Sequence, residues 1–385
     1  MSWVNDYRKI DFPRDLIYLY SGKLFLDFGN NILNLFLPIF LYQQLQDIFL
    51  VILYFALGSL LYFLTLPLTA RTLGPLGIKR SLIIAVVLRI VYFWAFYKFT
   101  SDPWIYIIVA LITSFLIKDF FWLPFHVESA ELMDKKNRGK QMSMIFSLAS
   151  LLGIIAPVVA GFILEKWSFA ILALLAMVLV AMSLIIFVRL KPNKEEFCWG
   201  YKETLKYFFH PFNRRMVTAY MSDGIIGAVN GIFWPIFIFM VLDEEYRAVG
   251  LITGGIILAG IILRLIMGEL LDKFRKKKLV RIGTVLNSTA WLIKTTVVSA
   301  FEIFAVSIYH MLGLIVLRTS LDTLVYEKTA DRGHYVDEYT VIREMALHGG
   351  KIAGLLVVAL LLLFFPLQIS FIIAAFASLF INLLR

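Results

Sequence analysis

The sequence predicts an all-helical integral membrane protein with twelve spanning helices, and three observations carry that reading. The 385 residues are 60% hydrophobic and only 17% charged, with a mean hydropathy of +0.82. That mix lies far outside the usual range of soluble domains, so such a chain cannot hide its apolar surface in a water-soluble globule. The apolar residues fall into runs of about 20, each long enough to cross ~30 Å of hydrocarbon at 1.5 Å per residue. The basic residues collect in short loops on one side of those runs.

Six runs lie near residues 16–42, 48–70, 81–99, 104–121, 142–164 and 169–188. Six more lie near 216–242, 249–271, 279–300, 303–325, 341–365 and 367–384. Charges or Pro and Gly turns bound them. His126, beyond Pro124, is expected in an inner loop. The polar start of the sequence, MSWVNDYRKIDFPRD, lacks the apolar core of a cleaved secretory signal, so the first span is expected to remain in the mature protein. An even number of spans places both termini on one side. Arg71, Lys79, Arg80, Lys135, Lys136, Arg138, Lys140 and the run Lys273 to Arg281 share that side, which the positive-inside rule makes cytoplasmic. The expected location is a cell membrane, plasma or inner, crossed many times.

The longest polar stretch, 189–215, is the expected linker between a six-helix bundle over 1–188 and a second over 216–385. Its YKETLKYFF portion suits a short amphipathic helix on the membrane surface. The halves also echo each other. Asp27, Asn34 and Pro38 in DFGNNILNLFLPIF match Asp223, Asn230 and Pro235 in DGIIGAVNGIFWPIF, with one residue inserted before the second proline. Parallel repeats of this kind are a transporter architecture.

Composition excludes several classes. Cys198 is the sole cysteine, so no internal disulfide and no cysteine metal cluster can form. The net charge of +10 is explained by the inner loops and comes with no nucleic-acid-binding motif, so no nucleic-acid partner is expected. No phosphate loop, zinc-protease helix or nucleophile turn occurs, so no enzyme activity, cofactor or metal is expected. A monomer among membrane lipids, with a small-molecule substrate and protons as a coupling ion, is the expected state.

The loop GELLDKFRKKKL then becomes specific. Gly268, Asp272, Arg275 and Lys276 resemble the loop signature of the major facilitator superfamily, a glycine with an aspartate four residues on and a basic cluster. The corresponding first-half loop, ARTLGPLGIKRSL, keeps Gly77, Lys79 and Arg80 but has Ala70 and Gly74 where the signature has its glycine and aspartate. The resemblance implies the major facilitator fold of two six-helix pseudo-repeats. It also implies that Asp272 steadies one gate conformation and that the first, fourth, seventh and tenth spans line a cavity. Gly153, Pro157 and Gly161 in the fifth span resemble part of the pattern of proton-driven exporters, and their spacing equally suits close helix packing.

Charges inside spans each cost about 2.5–3.5 kcal/mol or more near the bilayer centre unless a cavity or partner receives them. Asp27, Asn34, Lys118, Asp119, Asp223, Asn230, Arg318, Glu344, His348 and Lys351 are therefore the candidate substrate or proton site. Lys23, one turn before Asp27, is a candidate ion-pair partner for it. Arg89 reads as half of a structural pair, and His310 as a packing residue. Cations, Arg264 and Lys294 included, outnumber acids in the spans, which favours an anionic or zwitterionic substrate. The expected function is secondary active transport of a small solute by alternating access. The rivals are a proton-driven exporter of amphipathic or cationic compounds and, in another class, a membrane-embedded lipid-acting enzyme or assembly factor.

Overall fold

A computed structural model of the chain describes residues 12–133, 138–194, 197–272, 276–330 and 336–384. Among them every regular element is helical. The longer helices, in chain order, are α1 (Arg14–Asn34), α2 (Leu37–Leu45), α3 (Ile48–Ala70), α4 (Ile78–Lys98), α5 (Pro103–Leu132), α6 (Arg138–Lys166), α7 (Phe169–Phe187) and α8 (Tyr201–Phe209). They continue with α9 (Arg214–Ala228), α10 (Trp234–Val241), α11 (Tyr246–Asp272), α12 (Lys276–Lys294), α13 (Ala300–Ala330), α14 (Val336–Leu361) and α15 (Ile369–Phe380).

Ten helical stretches among the described residues are long and apolar enough to cross a membrane, counting Arg14–Leu45 and Pro211–Val241 as one each. The two expected spans outside this set are informative. Helix α12 carries Lys276, Lys277, Lys278, Arg281 and Lys294, and the last apolar helix, Ile369–Leu383, is short.

Prolines shape the long spans unevenly. Pro38 lacks an N–H and its ring clashes with the carbonyl four residues back, and the first span breaks between α1 and α2. Pro235 meets the same difficulty differently, because a π turn over Val229–Phe233 separates α9 from α10. A π turn holds one residue more than an α turn, and this is where the one-residue insertion of the second half falls. By contrast α3, α5 and α6 run through Pro67, Pro124 and Pro157 without ending. Helix α5 therefore extends to Leu132, and His126 is helical, stacked on Trp122 at 5.7 Å between ring centres, rather than in a loop.

The described residues gather into two compact units. One comprises residues 1–33 and 68–197, the other 34–67 and 198–385. In the first, α4 packs against α5 and α7, and α1 lies close to α7, where Gly22 and Gly29 face Phe187 and Val180 with no room for a Cβ. In the second, α9 packs on α14, α12 on α13 and α15, and α2 on α10. Contact between α9 and α14 is backbone to backbone. A Cβ on Gly224 would stand 1.9 Å from the Leu347 carbonyl oxygen, and one on Gly350 would stand 1.9 Å from that of Met221.

The expected surface helix forms as α8, opened by Glu203 accepting from the Gly200 N–H at 3.3 Å. It carries exposed Phe209 and Tyr207. Pro157 and Gly161 are buried in α6 and Gly153 is half-buried.

Candidate functional site

The second unit brings the candidate residues together. Asp223 on α9 and Arg318 on α13 form a two-pronged ion pair, with Nη1 donating to Oδ2 at 2.9 Å and Nη2 donating to Oδ1. The flat guanidinium fork matches a carboxylate in this way where a lysine cannot. The Gly224–Gly350 approach holds α14 against α9, and Lys351 there stands within electrostatic reach of both Asp223 and Glu344. One turn back on α14, buried His348 meets the edge of Tyr62 at 4.5 Å.

Beside this cluster is a cavity of about 220 Å³ lined by Gly227, Asn230, Arg264, His310, Leu314 and Arg318, among others. His310, Leu314 and Arg318 are spaced four apart and so form one stripe of α13. Asn230 reaches the cavity from the π turn that Pro235 demands. Arg264 projects from α11, and no acid pairs with it among the described residues. The volume lies below the ~300–1,000 Å³ typical of drug-sized pockets, which suits a small solute.

Lys294, which sequence reasoning named only as one cation among several, is fully buried behind His310. Its Nζ lies 3.1 Å from His310 Nδ1 and 4.1 and 3.9 Å from the ring centres of Trp234 and Trp291. Its isolation in the apolar run WLIKTTVV was a signal, but its partners come from other helices and from positions that look like ordinary packing.

The first unit uses its charges differently. Lys23 and Asp27 pair across one turn of α1, and Nζ of Lys23 also lies 5.4 Å from the Phe125 ring centre. Arg89 donates to Asn30 and stands within electrostatic reach of Asp27. Asp119 is buried and accepts from Thr69 at 3.0 Å, while the adjacent Lys118 is half-buried. Asn34, at the end of α1, is exposed and belongs to the second unit, not the first.

The gate motifs are partly visible. Gly77 has φ +80°, a left-handed conformation that only glycine adopts without strain, and the Asn193 carbonyl accepts from the next N–H, that of Ile78, at 2.9 Å. Asn193 also donates to Glu128 at 3.1 Å, so the segment after α7 is tied at two points. Lys79 is half-buried and Arg80 exposed in the first turn of α4. Gly268 and Asp272 fall in the last turns of α11 and Lys276 starts α12, but their side chains, and all of Arg275, lie outside the described residues.

These features define a polytopic helical membrane protein with a polar, cation-lined cavity inside one helical unit. Comparison with known proteins gives its class. The family model "Major Facilitator Superfamily" matches residues 19–222, more than half of the chain, and the protein belongs to that superfamily of transporters. A curated relative from Bacillus subtilis (strain 168), the uncharacterized protein YqgE, is 23% identical over 256 residues, which cover 63% of this chain and 59% of that protein. The chain thus spans less than two thirds of the length of this relative. Among solved structures, a mutant of the peptide transporter POT in complex with alafosfalin superposes with a TM-score of 0.71 at 12% identity, over 96% of this chain and 93% of that one. At that identity the match concerns the fold.

Proposed function

We propose that this protein is a secondary active transporter that carries a small anionic or zwitterionic solute through the cavity of the second unit by alternating access. Twelve crossings, with both termini cytoplasmic, fit the charge distribution, and the two six-helix repeats, 1–188 and 216–385 joined by 189–215, are the moving parts. The observation that carries the substrate reading is the lining of the cavity. Arg264 lines it with no paired acid among the described residues, Arg318 lines it while its guanidinium holds Asp223, and Asn230 adds an amide. A carboxylate or phosphate entering there would meet two cations, of which one is already balanced by Asp223. An added amine on the substrate would find an acceptor in the side-chain carbonyl of Asn230, which is the sense in which a zwitterion fits. POT, of the same fold, is a peptide transporter, and peptides are zwitterions.

The test is thermal denaturation of the purified protein in detergent against a panel of small carboxylates, phosphates, amino acids, dipeptides and cationic amphiphiles. A ligand held at 100 times its Kd stabilises the folded state by about 2.7 kcal/mol. The reading expects a saturable rise in Tm with one or more anions or zwitterions and its loss in Arg264→Ala. Stabilisation by cationic amphiphiles alone would favour an exporter of such compounds and overturn the anionic assignment.

A further inference from the structure

The surroundings of Lys294 contain no carboxylate among the described residues. A buried ammonium is costly unless paired, and an ordinary apolar side chain such as Met would fill the same box of Trp234 and Trp291 without that cost. The lysine instead ends a line of hydrogen bonds whose direction can be worked out. Ser378 Oγ has one proton and donates it to the Ala374 carbonyl at 2.8 Å. It must therefore accept from Asn287 Nδ2, 3.1 Å away. That orientation turns Asn287 Oδ1 toward His310 Nε2, at 2.6 Å, so Nε2 carries a proton and donates it. Nδ1 of His310 is then left with its lone pair facing the Lys294 amine at 3.1 Å.

The arrangement accepts a proton at either end of that last contact. An ammonium at Lys294 donates to Nδ1 and lies against two indole faces, which receive a cation without a counter-charge. A neutral amine keeps a hydrogen to donate to the same lone pair and leaves no charge buried. His310 also lines the cavity, so the residue that contacts the enclosed lysine borders that space.

We propose that Lys294 and His310 form a proton-binding site that loads and unloads through the cavity. In loading, a hydronium ion in the cavity gives its proton to Nδ1 of His310, the one ring nitrogen with a lone pair, and is left as water. The Nδ1–H bond then breaks as an Nζ–H bond forms, leaving a neutral imidazole and an ammonium. Unloading is the reverse, and no other reactant is consumed. Among the described residues, few charged or titratable groups stand near this pair. His310 lies on α13, and Lys294 is the charge it senses. At the cavity stand Arg264 from α11, and Arg318 from α13 with its partner Asp223 from α9. Trp234, Trp291 and Asn287, which contact the pair, and Ser378 behind Asn287 are neutral. Loading adds one positive charge behind a cation-lined cavity, so it favours an anion there. As a coupling device the site rests on the transporter reading above, but its existence does not.

The experiment is a titration of the full-length protein in detergent between about pH 5 and pH 9, the range in which imidazole chemistry operates. Tryptophan fluorescence reads the box, and potentiometry counts protons. The wild type is expected to show a reversible fluorescence step, and its difference from Lys294→Met is expected to be about one proton. His310→Asn, which keeps the lysine but removes the connecting ring, is expected to slow relaxation after a pH jump at least about tenfold. If Lys294→Met does not fold, Trp234→Phe and Trp291→Phe replace it, and each should cut the amplitude of the step at least about twofold while the proton count stays unchanged. A wild type with no step, a step of full amplitude in Lys294→Met, or one untouched by both tryptophan changes would overturn the proposal. An ammonium held permanently by the indoles gives the first of these results. Because the titration needs neither gradient nor substrate, a protein that titrates as expected but moves no solute would contradict the transport reading alone.

Discussion

Removing one member of the Asp223–Arg318 pair should reveal how much of the second unit's stability rests on it. At 2.9 Å and an effective dielectric near 20, the attraction is about 6 kcal/mol before desolvation. Breaking a buried pair costs about 3–5 kcal/mol, chiefly because the remaining charge is stranded. Here the Asp223 side chain is 12% exposed but that of Arg318 is 43% exposed, and solvent screening reduces the effect. We therefore expect Arg318→Gln, which strands the less exposed charge, to lower stability by about 2–3 kcal/mol. Asp223→Asn, which leaves a cation open to the cavity, should cost about 1–2 kcal/mol. The double variant should lie at least about 1 kcal/mol above the sum of the singles. Reversible unfolding in mixed detergent gives these values. Additive single effects, each below about 0.5 kcal/mol, would refute the view that the pair is a structural latch. Arg318→Lys retains charge but not the fork, so it should recover less than half of the loss.

Three further outcomes can be measured, two drawn from the packing and one from the loop motif. Gly350→Ala should lower the yield of monodisperse protein severely and its stability by at least about 3 kcal/mol, because its Cβ would meet the Met221 carbonyl at 1.9 Å and backbone cannot yield as a side chain can. A yield and melting curve like the wild type's would show that α9 and α14 do not pack as described. Asp27→Asn should destabilise the first unit, and adding Lys23→Met should restore most of the loss, as expected of a charge-balancing pair; if Asp27→Asn instead keeps stability while abolishing gradient-driven accumulation, Asp27 is a proton carrier. Asp272→Asn, at the last residue of α11, should reduce transport rate with little change in folded protein, and unchanged kinetics would mark that loop as a determinant of topology only.

What could be read in the sequence and what could not divides along the range of the interactions. The spans were legible because an apolar run of bilayer length is local, and so was the Lys23–Asp27 pair, which needs only one turn of helix. Proline positions were legible too, but not their consequences: Pro38 breaks its span, Pro235 is met by a π turn, and Pro124 merely continues in α5. Those differences depend on what the neighbouring helices can satisfy. Asp223 and Arg318 were each marked as costly intramembrane charges, yet their pairing spans 95 positions and could not be read from spacing. Lys294 was hardest to read. Its box draws on α10, α12 and α13, the carboxylate one would search for is absent from the described surroundings, and its partner His310 looked like a packing residue. The first-half loop illustrates the reverse case. It departs from the family signature in lacking the aspartate, while Gly77 there proves to be fixed by a left-handed φ and by the close approach of Asn193.

Uptake into proteoliposomes decides whether a small anion or zwitterion passes through the cavity lined by Arg264 and Arg318. The compound that most raises Tm is supplied in radiolabelled form, with and without an inward proton gradient. The wild type is expected to show saturable uptake, stimulated by the gradient, and Arg264→Ala at least about tenfold weaker apparent affinity, the loss of roughly 1.4 kcal/mol of binding energy. Uptake of that compound by Arg264→Ala with unchanged affinity would contradict that route.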